Sequence, residues 1–148
     1  MPSTAWGEQA PPIPADSPRA VWQWALASPL DVTASRMQLR ATLDHRAGHL
    51  PDRAEPDDID RLLLAYEELA SNGLRHGAPP VVVEVTGTAS GWLIDVTDAA
   101  PEHGPRPAID RDPAEGGLGL YLIAGLSTAC GWSIDAGRKH VWACIQPA

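Results

Sequence analysis

The order of strand-like and helix-like segments predicts an α/β fold in two layers, a mixed and mainly antiparallel sheet with helices on one face. Two observations carry this prediction. Short runs rich in β-branched and aromatic residues lie between turn residues, which is typical of antiparallel strands. Longer segments between these runs carry apolar residues at three- and four-residue spacing, which is typical of amphipathic helices.

The 148 residues predict one domain, residues 21–148, behind a flexible tail, residues 1–20. The tail holds five prolines, and because each proline lacks an amide hydrogen and fixes φ, neither a helix nor a central strand fits there. Trp6 is the tail residue that could be pinned to something. Apolar residues alternate with other residues over 21–26, which predicts a first strand that Ser28 and Pro29 end.

Three helices are predicted. The first begins at Asp31 or Thr33 and carries an inner face of Val32, Leu39, Leu43, Ala47 and Leu50. The second is capped by Asp57 or Asp58 and carries one apolar stripe of Ile59, Leu62, Leu63, Tyr66, Leu69, Ala70 and Gly73. The third, residues 118–129, has its apolar spacing at Leu118, Tyr121, Leu122 and Leu126.

Four more strands complete the predicted sheet. Residues 81–85 and 92–97 form a pair around a glycine-containing turn, and residues 132–134 and 140–145 form the last pair. Residues 99–116 hold many prolines and glycines and no apolar periodicity. Long segments of this kind inside compact domains are usually functional, so we expect a lid over a binding site.

The formal charge of −8 argues against a nucleic-acid partner or an anionic membrane surface, because both would require basic patches. No apolar run is long enough to span a membrane, and the first residues do not resemble a signal peptide, so we expect a cytoplasmic protein. Cys130 and Cys144 lack metal-ligand spacing. A hairpin could bring them together in a disulfide, but two buried thiols are expected in a reducing compartment.

Polar residues on the second helix suggest a site. Glu68, Asn72 and His76 recur every four residues and therefore line one face, separate from the apolar stripe. A carboxylate can accept a proton, and a carboxamide oxygen is a suitable ligand for Mg²⁺. Solvated surface residues would give the same spacing, so this face alone does not establish a site.

Two downstream segments strengthen the case. Asp98 ends a strand, where a carboxylate can accept a hydrogen bond from an exocyclic amine such as adenine N6; a turn-forming aspartate is the alternative. Residues 116–119 read Gly116, Gly117, Leu118 and Gly119 and open a helix. Small residues at a helix N-terminus let backbone N–H groups face a phosphate, although a simple loop-to-helix junction would look the same.

In this order and spacing, the three segments resemble the N box and the two glycine boxes of GHKL ATPases. Residues 137–143 also resemble the closing hairpin of the anti-sigma-factor serine kinase branch, which is RsbW-like and abundant in actinomycetes. The resemblance covers roughly residues 22–145 and implies the Bergerat ATP-binding fold. The chain departs from the family after Asp98, where Ala99 and Ala100 stand in a box that usually carries glycines.

The resemblance implies a role for each matching residue. Asn72 would bind Mg²⁺, Glu68 would act as base in transfer of the γ-phosphoryl group of ATP, and Asp98 would read adenine. The second glycine box would bind the phosphates. Arg75 and His76, at the end of the second helix, could contact the triphosphate. Arg111 in the lid could replace an arginine that relatives carry where this chain has Glu115, with Arg106 and, more weakly, Lys139 as alternatives.

The leading functional prediction is an anti-sigma factor with ATP-dependent serine kinase activity toward an anti-anti-sigma (STAS) protein. It rests on the resemblance and on the lack of an attached sensor, receiver or histidine-bearing module. The expected partners are a sigma factor, the STAS protein and a second copy of the chain in a homodimer. Two alternatives stay open, a non-enzymatic partner-binding module with a degenerate nucleotide site and the detached catalytic subunit of a histidine kinase.

Overall fold

The computed structural model describes residues 6–45, 49–99 and 118–148, apart from the side chains of His45 and Leu118. In chain order the elements are β1 (Ala20–Leu26), α1 (Pro29–His45), α2 (Pro56–His76), β2 (Val81–Gly87), β3 (Trp92–Asp98), α3 (Leu118–Leu126), β4 (Ala129–Asp135) and β5 (Arg138–Ile145). The strands form one sheet in the order β1-β2-β3-β5-β4, and each neighbouring pair is antiparallel. The helices pack on one side of it, which confirms the predicted fold class.

The core lies between the sheet and α2. Every member of the predicted apolar stripe of α2 is buried. The stripe could be recognised in the sequence because mainly polar residues cover the rest of the helix. Alternate residues of the strands complete the core from the sheet, among them Val83, Ile94 and Val141. Within the described part of the chain, no helix is long and apolar enough to cross a bilayer.

Both long helices begin earlier than predicted. α1 begins at Pro29, and Asp31 lies in its first turn, where Oδ2 accepts a hydrogen bond from the Ala27 N–H at 2.7 Å. α2 begins at Pro56, since proline at the first helical position has a suitable φ and needs no hydrogen-bond partner for its nitrogen. Its N-cap is therefore Glu55, whose N–H donates to Asp58 Oδ2 at 2.7 Å.

The predicted inner face of the first helix is buried at Val32, Leu39 and Leu43, and Leu50 packs partly against the core. Ala47 lies outside the described residues.

The third helix was predicted too long, and two of its four predicted apolar positions, Tyr121 and Leu122, do not face the core, whereas Leu126 packs against it. α3 ends at Leu126, and β4 begins at Ala129. Leu120 and Ile123 are the buried residues, whereas Tyr121 and Leu122 are exposed. This helix is apolar nearly all round, so its periodicity could not indicate which side faces the core.

The two cysteines lie on the adjacent strands β4 and β5 and are half-buried rather than buried. Cys130 lies opposite Ala143 in the register, and Cys144 is the next residue along β5. Because successive side chains of a strand point to opposite faces, the Cys130 and Cys144 side chains lie on opposite faces of the sheet. No disulfide joins the two thiols. Burial raises the pKa of both thiols, which keeps them protonated at neutral pH.

The proline-rich N-terminal segment lies against the domain from Trp6 onward. The Trp6 side chain is 4% exposed and belongs to the core, and its Nε1–H donates to the Leu120 carbonyl at 3.0 Å. The segment then runs beside the edge strand β4, where the Gln9 N–H donates to the Trp132 carbonyl at 2.7 Å. The Trp142 Nε1–H donates to the Gln9 carbonyl at 2.8 Å. The flexibility of residues 1–20 stays a prediction, and residues 1–5 lie outside the described residues.

Trp6→Ala is expected to lower the free energy of unfolding by about 3 kcal/mol, because it removes a large side chain from the core and a hydrogen bond from the start of α3. Ile13→Ala in the same segment is the matched control. Ile13 is 93% exposed, so its truncation should change the stability by less than about 0.5 kcal/mol. Urea unfolding followed by circular dichroism measures both. Equal stabilities for the two variants would contradict the docking of Trp6.

Candidate functional site

The acid and the amide predicted on α2 lie on its C-terminal half. Glu68 is half-buried, and Asn72 is 7% exposed although its side chain is polar. The Glu68 carboxylate packs directly against α3. A Cβ atom placed on Gly119 would come within 2.7 Å of Glu68 Cδ and closer still to Oε2. Gly119 therefore leaves the space that the Glu68 carboxylate occupies, and the two predicted site residues are in contact.

The carboxylate at the end of β3 lies against the end of α2. A Cβ atom on Gly77 would come within 2.5 Å of Asp98 Cγ, so the backbone approaches the carboxyl group too closely for any side chain. The φ of Gly77 is −89°, so lack of space, rather than backbone strain, requires the glycine. Asp98 Oδ1 accepts a hydrogen bond from the Ala78 N–H at 3.4 Å. This contact fixes the carboxylate relative to α2.

The contacts place Glu68, Asn72 and Asp98 in this order along α2. Gly77 lies nine positions after Glu68, which corresponds to about 13 Å along the helix axis. Asn72 lies between them. A carboxylate, a carboxamide and a second carboxylate therefore follow one another over about 13 Å along α2.

Asp98 also forms a buried ion pair. Lys139 on β5 lies opposite Asp98 in the antiparallel register, and its Nζ is 3.5 Å from Asp98 Oδ2. The two side chains are 8% and 1% exposed, respectively. A lysine buried this deeply requires a partner, because an unpaired ammonium group would lose its hydration without compensation. The pair places an ammonium group beside the carboxylate that was predicted to read adenine.

Sequence reasoning considered Lys139 only as a weak phosphate ligand and missed this pairing. Strand alternation contained the signal. Lys139 has the same parity as the apolar positions Val141, Ala143 and Ile145 of β5, and Asp98 has the same parity as the buried positions of β3. Both side chains therefore face the helices.

His140 lies on the other face of the sheet. Its Nδ1 is 2.9 Å from Asp95 Oδ2, and burial raises the pKa of Asp95 although the hydrogen bond with His140 opposes that rise. In the register of β3 and β5, His140 lies opposite Thr97 rather than opposite Asp98.

The remaining predicted site residues are described in part or not at all. Arg75 and His76 are exposed in the last turn of α2. Leu118 is the first residue of α3, as its backbone shows. Arg111, Gly116 and Gly117 lie outside the described residues, as do most of the predicted lid, Arg106 and Glu115. Their roles stay predictions.

The donor set for a metal is sparse. Among residues 6–45, 49–99 and 118–148, no three or more His, Cys, Asp or Glu side chains converge as they would on a metal ion. The buried carboxamide of Asn72 suits Mg²⁺, which commonly takes one or two protein ligands and completes its octahedron with phosphate oxygens and water. The residues therefore fit a magnesium ion that is held jointly with a nucleotide.

A family model described as the histidine kinase-like ATPase domain matches residues 27–145, which is most of the chain. No curated protein matches significantly.

Gly77→Ala is expected to lower the free energy of unfolding by about 1–3 kcal/mol, because the new methyl group would overlap the Asp98 carboxyl group. Gly125→Ala in α3 makes the same chemical change where, among the described residues and apart from its chain neighbours and its own helix backbone, no atom lies within 4 Å, and it should raise stability by about 0.5–1 kcal/mol through helix propensity. Thermal unfolding compares the two variants. Unchanged stability of Gly77→Ala would contradict the close contact with Asp98.

Proposed function

The chain belongs to the family of histidine kinase-like ATPase domains, and from this premise we propose that it is an anti-sigma factor with ATP-dependent serine kinase activity. Its substrate would be a serine of an anti-anti-sigma (STAS) protein. The unphosphorylated STAS protein would displace a bound sigma factor, and phosphorylation would release the STAS protein. The resemblance of the last hairpin to that of anti-sigma-factor kinases supports this choice, and so does the position of Glu68.

The contact between Glu68 and Gly119 is the observation that carries the proposal. It holds a carboxylate at the N-terminal turn of α3, where backbone N–H groups and the helix dipole favour phosphate groups. A serine hydroxyl must lose its proton when its oxygen attacks phosphorus, and a carboxylate at this position can accept that proton. A phosphoacceptor histidine has no such requirement, so the geometry favours transfer to a hydroxyl group.

The proposed reaction is one in-line displacement. The serine Oγ forms a bond to the γ-phosphorus of ATP while the bond from that phosphorus to the bridging oxygen breaks, and ADP leaves. Glu68 accepts the hydroxyl proton. Asn72 would hold Mg²⁺, which when bound offsets negative charge on the phosphates. Gly116, Gly117, Leu118 and Gly119 would donate backbone hydrogen bonds to the phosphates, with Arg75, His76 and Arg111 as further phosphate contacts.

A second candidate function is a partner-binding module without catalysis. The Lys139–Asp98 ion pair favours it, because a carboxylate already paired with an ammonium group has less need of a base amine. The presence of Ala99 and Ala100 where related proteins usually carry glycines also favours a module without a working nucleotide site. Calorimetry with ATP and Mg²⁺ separates the candidates: micromolar binding would exclude the module without a nucleotide site.

The kinase proposal predicts serine phosphorylation of a STAS protein. The chain, ATP and Mg²⁺ are incubated with a panel of STAS proteins, and the modified residue is identified by mass spectrometry. Acid-stable phosphoserine on one of them is the expected product. Acid-labile phosphohistidine on a partner would instead identify a histidine kinase subunit, and no transfer to any member would contradict the kinase proposal.

Glu68→Gln is expected to reduce phosphoryl transfer by about 10²–10⁴-fold and to leave ATP affinity nearly unchanged, because the amide keeps the shape of the side chain but cannot accept the proton. Glu67→Gln is the matched control. Glu67 is rotated by about 100° around α2 from Glu68, so its variant should transfer phosphate at the wild-type rate. Single-turnover kinetics measure both variants. Wild-type transfer by Glu68→Gln would rule out the base assignment.

Asn72→Ala is expected to weaken Mg²⁺-dependent ATP binding by about tenfold or more and to leave binding in EDTA unchanged, because it removes the proposed protein ligand of the metal. Ser71→Ala serves as the control, because Ser71 precedes Asn72 on the same helix and is half-buried. Titration calorimetry with and without Mg²⁺ checks the difference, and circular dichroism checks the fold. Equal weakening with and without the metal would argue against Asn72 as its ligand.

A further inference from the structure

Trp6 links the start of α3 to the sheet. Its indole is 4% exposed, and its Nε1–H donates to the Leu120 carbonyl at 3.0 Å. Directly after it, the Gly7 carbonyl accepts from the Trp132 N–H at 3.1 Å, and the Gln9 N–H donates to the Trp132 carbonyl at 2.7 Å. Backbone hydrogen bonds therefore hold the segment to β4, while the Trp6 side chain bonds to α3.

The position of α3 depends on contacts of this kind. The helix has nine residues, Leu118–Leu126, and because helices shorter than about 12 residues are marginally stable in water, packing must hold it in place. It packs on α2 and β5, and Trp6 contacts it from the N-terminal segment. Tyr121 and Leu122 are exposed and add little to that packing. Loss of one of these contacts would free α3 to shift.

The residue that Trp6 holds is next to the residue that contacts the proposed base. Leu120 follows Gly119, and a Cβ atom on Gly119 would come within 2.7 Å of Glu68 Cδ. A shift of α3 away from Glu68 would open a gap between the carboxylate and the first turn of the helix, because close-packed groups lose their contacts over small displacements. Trp6 and Glu68 therefore constrain the same turn of α3.

We propose that Trp6 is a positioning residue for the phosphate end of the proposed nucleotide site. By holding Leu120, it keeps the first turn of α3 against Glu68, where backbone N–H groups of that turn would donate to phosphate oxygens. Trp6 acts through α3 and touches neither the nucleotide nor the serine. The inference rests on the proposed function. It adds that a residue before the region matched by the family model is needed for full nucleotide affinity.

Thermodynamic linkage allows a test on the unaltered chain. If docked Trp6 favours nucleotide binding, a bound nucleotide must favour docking of Trp6 by the same factor. Saturating ADP with Mg²⁺ should therefore slow hydrogen exchange of the Trp6 indole N–H by about fivefold or more, as measured by NMR.

The Trp24 indole is the matched control in this measurement. Its Nε1–H donates to Gln38 Oε1 at 2.8 Å, and Trp24 lies on β1, at the opposite edge of the sheet from β4. Its exchange should be nearly unchanged by ADP. Slowing at Trp6 no greater than slowing at Trp24 would overturn the inference, because it would reflect only stabilisation of the whole domain.

Two variants separate positioning from stability. Trp6→Ala should weaken binding of ADP with Mg²⁺ by about fivefold or more in calorimetry. Leu43→Ala is the control, because Leu43 is fully buried on α1, and its truncation should cost a comparable amount of stability without disturbing α3. Its ADP affinity should equal that of the wild type. Circular dichroism confirms that both variants are folded during the titrations.

The outcomes distinguish this inference from the proposed function. If the wild-type chain binds ADP and the two folded variants bind it equally well, the nucleotide site stands and the role of Trp6 is overturned. If the wild-type chain does not bind ADP, both are overturned. Should Trp6→Ala fail to fold, the exchange measurement on the wild-type chain decides.

Discussion

The close approach of α2 to β3 is the constraint on which the rest of the site depends. Two glycines four residues apart allow it. A Cβ on Gly73 would come within 2.8 Å of Val96 Cγ1, and a Cβ on Gly77 would overlap the Asp98 carboxyl group. Since both contacts lie on the same strand, they fix the end of the helix relative to the end of β3. The same helix carries Glu68 and Asn72, so packing in the core sets the distance between the polar groups of the site.

The buried ion pair is a consequence of the same packing. Asp98 faces the helices because it continues the inward alternation of β3, and a carboxylate buried this deeply requires a polar or charged partner. Lys139 supplies that compensation from the neighbouring strand. A buried pair of this kind adds little net stability, because desolvation of two charges offsets most of their attraction.

Local pattern sufficed where polar and apolar residues contrast. The stripe of α2 could be predicted because its apolar period is clear, and most strands could be predicted from β-branched and aromatic runs between turns. The family's motifs suggested Glu68, Asn72 and Asp98, whose roles stay predictions. α3 could not be oriented, since apolar residues surround it. The contacts of Glu68 with Gly119 and of Lys139 with Asp98 join distant parts of the chain and depend on register and helix position. Trp6 was singled out as a residue that could be pinned, but its contact with Leu120 could not be predicted, because prolines indicate only what a segment does not form.

The N-terminal segment also affects how molecules of this chain meet one another. β4 is an edge of the sheet, and Gly7 and Gln9 bond to the backbone of Trp132 there. A chain that lost this segment would expose those N–H and C=O groups on an open edge, which is a template for strand pairing with a second molecule. Residues 6–9 therefore cover backbone groups at the edge of β4 that could otherwise pair with another molecule.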